Sequence, residues 1–435
     1  MSRAVRIFPC GPIDGSIQPP GSKSITNRAL ICAALANGQS TLRGVLDSED
    51  TQVMIHAWNK LGLSIRHDLA TATLEIDGVG IELPCHSADL HVANSGTTIR
   101  FLTAALSTCH GDFRLDGVPR MRERPIGDLL ETLRALGADV TSENKEHPDC
   151  PPVLLKARGL AGGHAEIAGD VSSQFLSGVM LAAPMARSDV RLTLRGHLVS
   201  KPYIDMTREL MIAFGARVTG PENGQVLVTS SQKYLATDYT IEPDASAASY
   251  FWAAAAIAGG VARVQGLTQK SLQGDVRFCE VLAKMGCHVS YDENSITVQR
   301  GDKLVGVDVD MADISDTVQT LAAVALFAQG PTRVCGVAHN RVKETDRISD
   351  LATELRKLGA QVDEFHDGLT ITPGPRIQPA TIETYRDHRM AMSMALVGLA
   401  AEGIEILDPS CTSKTYPNYW EDLSLFASAH IQRID

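Results

Sequence analysis

Two hydrophobic rhythms alternate along the chain, each returning roughly every 70 residues. The first is an amphipathic helix, written in LETLRALGADV (130–140), RELMIAFGARV (208–218), CEVLAKMGCHV (279–289) and ATELRKLGAQV (352–362). Apolar residues fall at i and i+3/i+4, an apolar-glycine pair follows, and a β-branched residue opens a strand. MIHAWNKLGLSI (54–65) is a fifth copy, and the glycines at 62, 137, 215, 286 and 359 are 75, 78, 71 and 73 residues apart. Glycine there suits the position just past a helix, where positive φ is needed. A sixth, degenerate copy, YWEDLSLFASA (419–429), is expected to end the chain with Phe426-Ala427.

The second rhythm places small polar residues before an Ala/Leu-rich stretch that is apolar nearly all round. Its copies are GSKSITNRALICAALANG (21–38), NSGTTIRFLTAALSTCHG (94–111), DVSSQFLSGVMLAAPM (170–185), DASAASYFWAAAAIAGG (244–260), DISDTVQTLAAVALFAQG (313–330) and YRDHRMAMSMALVGLAAEG (385–403). Helices without a polar face belong inside a domain, so their polar starts would be presented together at one surface. Strand-like runs separate the helices: DFRLDGV (112–118), VRLTLRG (190–196), QVLVTSS (225–231), SITVQRG (295–301) and TRVCGV (332–337). Each repeat reads as a βαβαββ unit of about 70 residues, and six such units fit 435 residues. That length also exceeds one ordinary core, so more than one domain is expected.

Composition narrows the class. Apolar residues make up 44% and charged residues 21%, which excludes a disordered chain. The net charge of −11, from 40 basic against 51 acidic residues, argues against general nucleic-acid or anionic-membrane binding. The nine cysteines form no CxxC and show no metal-ligand spacing with histidine, which fits reduced, structural thiols and no metal. The start, MSRAVRIFPCGPIDG, lacks the apolar core of a signal peptide, and the longest apolar run, Tyr250 to Ala258, is too short to span a membrane. A soluble, cytoplasmic protein is the expectation.

Against this acidic background, Lys23, Arg28, Arg100, His388 and Arg389 crowd the starts of the apolar helices. N-capping explains Ser, Thr, Asp and Asn at such places. It does not explain cations, which oppose the helix dipole there. Anions are favoured at helix starts by free N–H groups, and Lys and Arg reinforce them, so a shared anionic ligand is indicated. GLAGG (159–163) lacks both GxGxxG and a Walker lysine and reads as a turn.

Nine segments carry a resemblance: PGSKSITNR (20–28), NSGTTIR (94–100), RMRERPIGDLL (120–130), GDVSSQF (169–175), SKPYIDMT (200–207), DISD (313–316), RVKETDR (341–347), DHRMAM (387–392) and DPSCTSKTYPNYW (408–420). In order and spacing they resemble the 5-enolpyruvylshikimate-3-phosphate synthases (3-phosphoshikimate 1-carboxyvinyltransferases), a family of enolpyruvyl transferases in aromatic amino-acid and chorismate biosynthesis. The resemblance implies an α/β fold of two similar domains, each of three βαβαββ repeats with buried helices, an inside-out α/β barrel, and a ligand cleft between the domains. It places domain 1 at 1–20 plus 241–435 and domain 2 at 21–240. It implies transfer of enolpyruvate from phosphoenolpyruvate to the 5-hydroxyl of shikimate 3-phosphate by a monomer, with no cofactor and no nucleic-acid or membrane partner.

The family's phosphoenolpyruvate contacts match Lys23, Gly96, Arg124, Gln174, Arg347, Arg389 and Lys414. Its shikimate 3-phosphate contacts match Lys23, Ser24, Arg28, Ser172, Ser173, Gln174, Ser200, Tyr203, Asp316 and Lys343. By resemblance Glu344 donates a proton, Asp316 accepts one and Lys23 stabilises charge on the transferring group. Where many relatives have asparagine four residues before that lysine, this chain has His339 followed by Asn340, and either could reach the substrate phosphate. Phe101 replaces a common proline and is expected to face the buried side, while Gly96 should leave room for the inhibitor glyphosate and Thr98 and Phe101 could shift sensitivity to it. Two other readings compete. A UDP-N-acetylglucosamine enolpyruvyl transferase would carry a cysteine five residues before an Arg-Pro pair, where this chain has Pro119 before Arg124-Pro125. A non-catalytic repeat scaffold would have no reason to keep the charged residues of all nine segments.

Overall fold

The structure, a computed structural model, describes residues 3–435. It comprises two compact units, one of Met1–Pro20 with Glu242–Asp435 and the other of Gly21–Ile241. The second unit holds helices α1 (Lys23–Ala34), α2 (Glu49–Lys60), α3 (Gly96–Ser107), α4 (Gly127–Ala135), α5 (Ser173–Ala182) and α6 (Lys201–Ala213). The first holds α7 (Ala245–Ala258), α8 (Phe278–Lys284), α9 (Val318–Ala325), α10 (Ser349–Lys357), α11 (His388–Ala395) and α12 (Tyr419–Ala427).

Odd and even helices differ as their patterns require. α3, α9 and α11 are buried at every residue, and α1, α5 and α7 nearly so. Within the 21–241 unit α1, α3 and α5 pack on one another, and in the other unit α9 packs on both α7 and α11. Alanine-rich faces suit such contacts because backbones can approach closely without large voids. The even helices bury one stripe only; α2 covers Met54, Ile55 and Trp58 while His56, Asn59 and Lys60 stay exposed. Gly62, Gly137, Gly215, Gly286 and Gly359 close α2, α4, α6, α8 and α10 with φ between 84° and 105°. At the end of α12 Ser428 takes this left-handed role (φ 49°), and a further strand, Ile431–Ile434, follows. The expectation that the sixth copy ends the chain at Phe426-Ala427 is corrected accordingly.

Among the described residues each unit carries three sheets with one shared plan. Ser87–His91 pairs in parallel with His110–Asp116 on the far side of α3, and the hairpin Asp139–Ser142/Val153–Arg158 adds antiparallel strands. The other sheets repeat this plan, but two borrow a strand from the crossing segments. Ile13–Ile17 pairs with Gly260–Gln265, and Asp238–Thr240 pairs with Ala36–Arg43. In a further sheet Ala4–Ile7 lies between Ile404–Leu407 and Ile431–Ile434. The chain is α/β with mixed sheets, and its odd-numbered helices are enclosed rather than exposed. All nine cysteines are free, and burial pushes the Cys32 and Cys109 thiols up to about 12. No helix among the described residues is long and apolar enough to cross a membrane.

Candidate active site

The 21–241 unit gathers its polar residues where its buried helices begin. Ser22, Ser95 and Ser172 are the N-caps of α1, α3 and α5, accepting hydrogen bonds from the backbone N–H of Ile25, Thr98 and Gln174. Capping therefore accounts for one oxygen of Ser172, as it would in any helix. Gln174 ties two helix starts together, its Nε2 donating to Thr97 Oγ1 at 3.2 Å and its Oε1 accepting from Arg100 at 2.5 Å. Arg100 also donates to Pro125 O at 2.9 Å and lies 5.0 Å over the Phe175 ring.

Three further cations stand at these helix starts and the turn beside them. Arg124, 4% exposed, follows a short turn (Pro119–Glu123) and donates to Asn94 O at 3.0 Å. Its guanidinium occupies the space over Gly96, where a Cβ would lie 2.6 Å from Nη2. Lys23 begins α1, with Nζ 3.4 Å from Asp50 Oδ2. Arg28, one turn further, is almost wholly buried and donates to Thr207 Oγ1 (2.7 Å), Ser24 O (2.9 Å) and Ser177 Oγ (3.2 Å). It also lies over the rings of Phe101 and Tyr203, and burial pulls its guanidinium down to about 10. Phe101 is fully buried, as its pattern requires. Ser200 caps α6 with left-handed backbone (φ 53°), one turn before Tyr203.

The other unit centres on Asp316. It lies in a 3-10 turn (Ala312–Thr317) ahead of α9, kinked at Ile314, rather than in a regular helix start. Its Oδ1 accepts from Lys343 Nζ (2.7 Å) and Arg347 Nη1 (3.3 Å), and its Oδ2 from Arg389 Nη2 (2.7 Å). Burial alone would raise this carboxyl, but Arg389, Lys343 and Arg347 outweigh it and hold it well below the usual carboxylate range. Burial lowers the Lys343 ammonium in spite of Asp316, with Arg347 adding to the effect.

Arg347, 2% exposed, is shared among three carboxylates: Asp387 at 2.6 Å, Glu344 at 2.8 Å and Asp316 at 3.3 Å. Burial works against its charge, and these partners more than offset that. Asp387 is fully buried, caps α11 and so fixes Arg389 two residues on. His339 Nε2 lies 2.8 Å from Ser315 Oγ; burial, with Lys343 adding, lowers its pKa to about 3, so the ring is neutral. Asn340 is fully buried and spends its amide N–H on Ser315 O. Lys414, 5% exposed, ends a 3-10 turn (Pro409–Lys414) that packs on α11. Asp275, beside Ser246, is raised to about 6 by burial and by the charge of Asp316.

The site residues expected from the sequence thus fall into two clusters. Lys23, Ser24, Arg28, Gly96, Arg124, Ser172, Ser173, Gln174, Ser200 and Tyr203 belong to the 21–241 unit, and Asp316, His339, Asn340, Lys343, Glu344, Arg347, Arg389 and Lys414 to the other. Asp50, Asn94, Asp275 and Asp387 were missed as site residues. They reach no substrate by motif, yet each holds a cation or adds charge where the candidates meet. An acidic residue beside a cation-bearing segment, as in DHRM and LDSED, was the available signal.

Chemically, each cluster can bind anions through fixed, dehydrated cations, and the second also offers two carboxylates for proton transfer. A family model described as EPSP synthase (3-phosphoshikimate 1-carboxyvinyltransferase) matches residues 8–423. The 3-phosphoshikimate 1-carboxyvinyltransferase of Shewanella piezotolerans is 45% identical over 426 residues, covering 98% of this chain and 99% of its own. That of Nostoc punctiforme is 48% identical over 409 residues, covering 94% and 95%. Among solved structures, an EPSP synthase from Acinetobacter baumannii superposes with a TM-score of 0.83 at 25% identity, covering 99% of both chains.

Proposed function

The chain belongs to the EPSP synthase (3-phosphoshikimate 1-carboxyvinyltransferase) family, and we propose that Asp316 and Glu344 carry the proton transfers of its reaction while the cations of both clusters hold its substrates. The enzyme transfers the enolpyruvyl group of phosphoenolpyruvate to the 5-hydroxyl of shikimate 3-phosphate, releasing phosphate, in aromatic amino-acid biosynthesis. In the first step the hydroxyl oxygen bonds to the central carbon of phosphoenolpyruvate, its proton passes to Asp316, and the methylene carbon takes a proton from Glu344. In the second the carbon–oxygen bond to phosphate breaks, a methyl proton returns to Glu344, and the departing phosphate takes up the proton held by Asp316.

The observation that carries this reading is the ion-pair hub at Asp316. Without substrate, Lys343, Arg347 and Arg389 hold Asp316 too acidic to be a good base, and Arg347 favours ionised Glu344. Phosphate and carboxylate groups that draw those cations away would raise the Asp316 carboxyl toward working pH and loosen the hold of Arg347 on Glu344. Substrate binding thereby arms the acid and the base together. Lys23, Gly96, Arg124, Gln174, Arg347, Arg389 and Lys414 are assigned to phosphoenolpyruvate, with Lys23 stabilising charge on the transferring group. Lys23, Ser24, Arg28, Ser172, Ser173, Gln174, Ser200, Tyr203, Asp316 and Lys343 are assigned to shikimate 3-phosphate. His339 and Asn340 are both assigned to the same substrate, and each is anchored at Ser315, the ring through Nε2 and the amide through one of its two N–H groups.

A cytoplasmic monomer inhibited by glyphosate completes the proposal; free cysteines support a reducing compartment. The direct test follows phosphate release from phosphoenolpyruvate with shikimate 3-phosphate or UDP-N-acetylglucosamine in parallel, for wild type, Asp316→Asn and Glu344→Gln. Release with shikimate 3-phosphate that both variants abolish supports the assignment; full activity in either variant removes that residue from it.

A further inference from the structure

The turn that delivers Asp387 and Arg389 is strained and is held from behind by a carboxylate belonging to neither cluster. Tyr385 and Arg386 lie consecutively in left-handed backbone, at φ 53° and 56°. Two such non-glycine residues in a row persist only where surrounding contacts impose them. Arg386 is exposed and Tyr385 half-buried, so packing of their side chains alone does not impose it.

Glu354 does. It projects from α10 and is fully buried. Its Oε1 accepts from Tyr385 Oη at 2.7 Å and its Oε2 from the Glu383 N–H at 3.1 Å. Lys357 Nζ closes the arrangement at 2.9 and 2.7 Å from the two oxygens. The Glu383 carboxylate in turn accepts the Tyr385 N–H at 3.3 Å. A carboxylate kept only for helix stability would pair with Lys357 at the surface and gain nothing from burial. This one is dehydrated and spends both oxygens on the turn at 383–385. The same helix begins two residues after Arg347, whose guanidinium holds Asp387. Glu354 and Arg347 therefore fasten one short segment at two points, before and after its left-handed residues.

We propose that Glu354 is a positioning residue that sets the Tyr385–Arg386 turn and, through it, the placement of Asp387 and Arg389 for phosphoenolpyruvate. The proposal rests on the assignment of Arg389 to phosphoenolpyruvate. Glu354 touches no reacting atom, and Tyr385 stays a phenol because burial and the Glu354 carboxylate both raise its pKa.

The test measures KM for phosphoenolpyruvate, kcat, binary affinity for shikimate 3-phosphate and Tm in Glu354→Ala, Glu354→Gln, Arg386→Gly, Arg389→Ala and the Glu354→Ala/Arg386→Gly pair. Glu354→Ala is expected to raise KM for phosphoenolpyruvate by about tenfold or more, since small misplacements of binding groups cost up to about a hundredfold. Shikimate 3-phosphate affinity should stay within about twofold, its proposed ligands lying mainly in the other unit. Glu354→Gln should keep part of the wild-type KM, because its carbonyl still accepts from Tyr385. Arg386→Gly alone should leave kinetics unchanged, since glycine takes left-handed backbone without strain. In the Glu354→Ala background it should recover a large part of the lost KM, which a purely structural role for Glu354 would not allow.

Normal KM in Glu354→Ala beside a loss in Arg389→Ala overturns the positioning role and leaves the site assignment standing. Equal losses for both substrates with no rescue by Arg386→Gly also overturn it. Normal KM in Arg389→Ala overturns the assignment of Arg389, and the proposal with it.

Discussion

Replacing Gly96 by alanine should weaken phosphoenolpyruvate binding through Arg124 rather than through the fold. Gly96 opens α3 in ordinary helical backbone, so alanine meets no conformational penalty there and slightly favours the helix. The new Cβ would lie 2.6 Å from Arg124 Nη2, 2.9 Å from Cζ and 3.1 Å from Nη1. Ordinary contact begins near 3.4 Å, so the guanidinium must retreat by about 0.8 Å. That movement pulls Nη1 off Asn94, whose backbone and side-chain oxygens accept at 3.0 and 3.3 Å. Losing one well-aimed charged hydrogen bond to substrate costs about 1.5–3 kcal/mol. The expected rise in KM for phosphoenolpyruvate is therefore roughly 10- to 150-fold. Steady-state phosphate release at saturating shikimate 3-phosphate measures it, and Tm should move by less than about 2 °C. A double-mutant cycle with Arg124→Lys sharpens the test, because two changes acting through one guanidinium must be less than additive. An unchanged KM, or full additivity in the cycle, refutes the reasoning.

Glu344→Gln should lower kcat on the order of 10²- to 10⁴-fold and remove one limb of its pH profile, whereas an unchanged profile ends the proton-donor assignment. Asp275→Asn tests a buried carboxyl raised to about 6 from an ordinary 3.8. The native state keeps this proton where the unfolded chain has lost it, so stability declines as pH rises from about 4 through 6. Asparagine cannot ionise, so the variant's Tm relative to wild type should climb over that window and then level; a constant difference across pH counts against it. Arg28→Lys should cost about 2–3 kcal/mol in urea unfolding, because an ammonium cannot serve Thr207, Ser24 and Ser177 together, and a loss below about 0.5 kcal/mol would mean those bonds carry little.

The sequence disclosed what is local. Leucine spacing marked the outer helices, all-round apolarity marked the inner ones, and the glycines at 62, 137, 215, 286 and 359 marked where the outer helices stop. Cations at helix starts pointed to an anion, since they stand where the dipole repels them. Sheet membership stayed hidden because it is set by pairing across hundreds of residues, as for Ile13–Ile17 with Gly260–Gln265. Hidden too was the way the charges neutralise one another. Asp387 was quoted as part of a motif, but its pairing with Arg347 depends on a turn whose left-handed residues are tyrosine and arginine. Glycine or asparagine would have advertised that turn, and neither is present. Ser172 illustrates the converse, since its capping role and its proposed ligand role use the same hydroxyl and the sequence pattern for both is identical.

The sheet in which Ala4–Ile7 lies between Ile404–Leu407 and Ile431–Ile434 imposes an order on biosynthesis. Its middle strand leaves the ribosome first and its neighbours last. At translation rates of about 5–20 residues per second, that strand waits roughly 20–80 s for a partner. Residues 21–241, drawn from contiguous chain, need no such delay. The nascent protein therefore carries this segment without its partners through most of its synthesis, and the arginines at positions 3 and 6 put charge on it meanwhile, one way of keeping an unpaired segment from joining another chain.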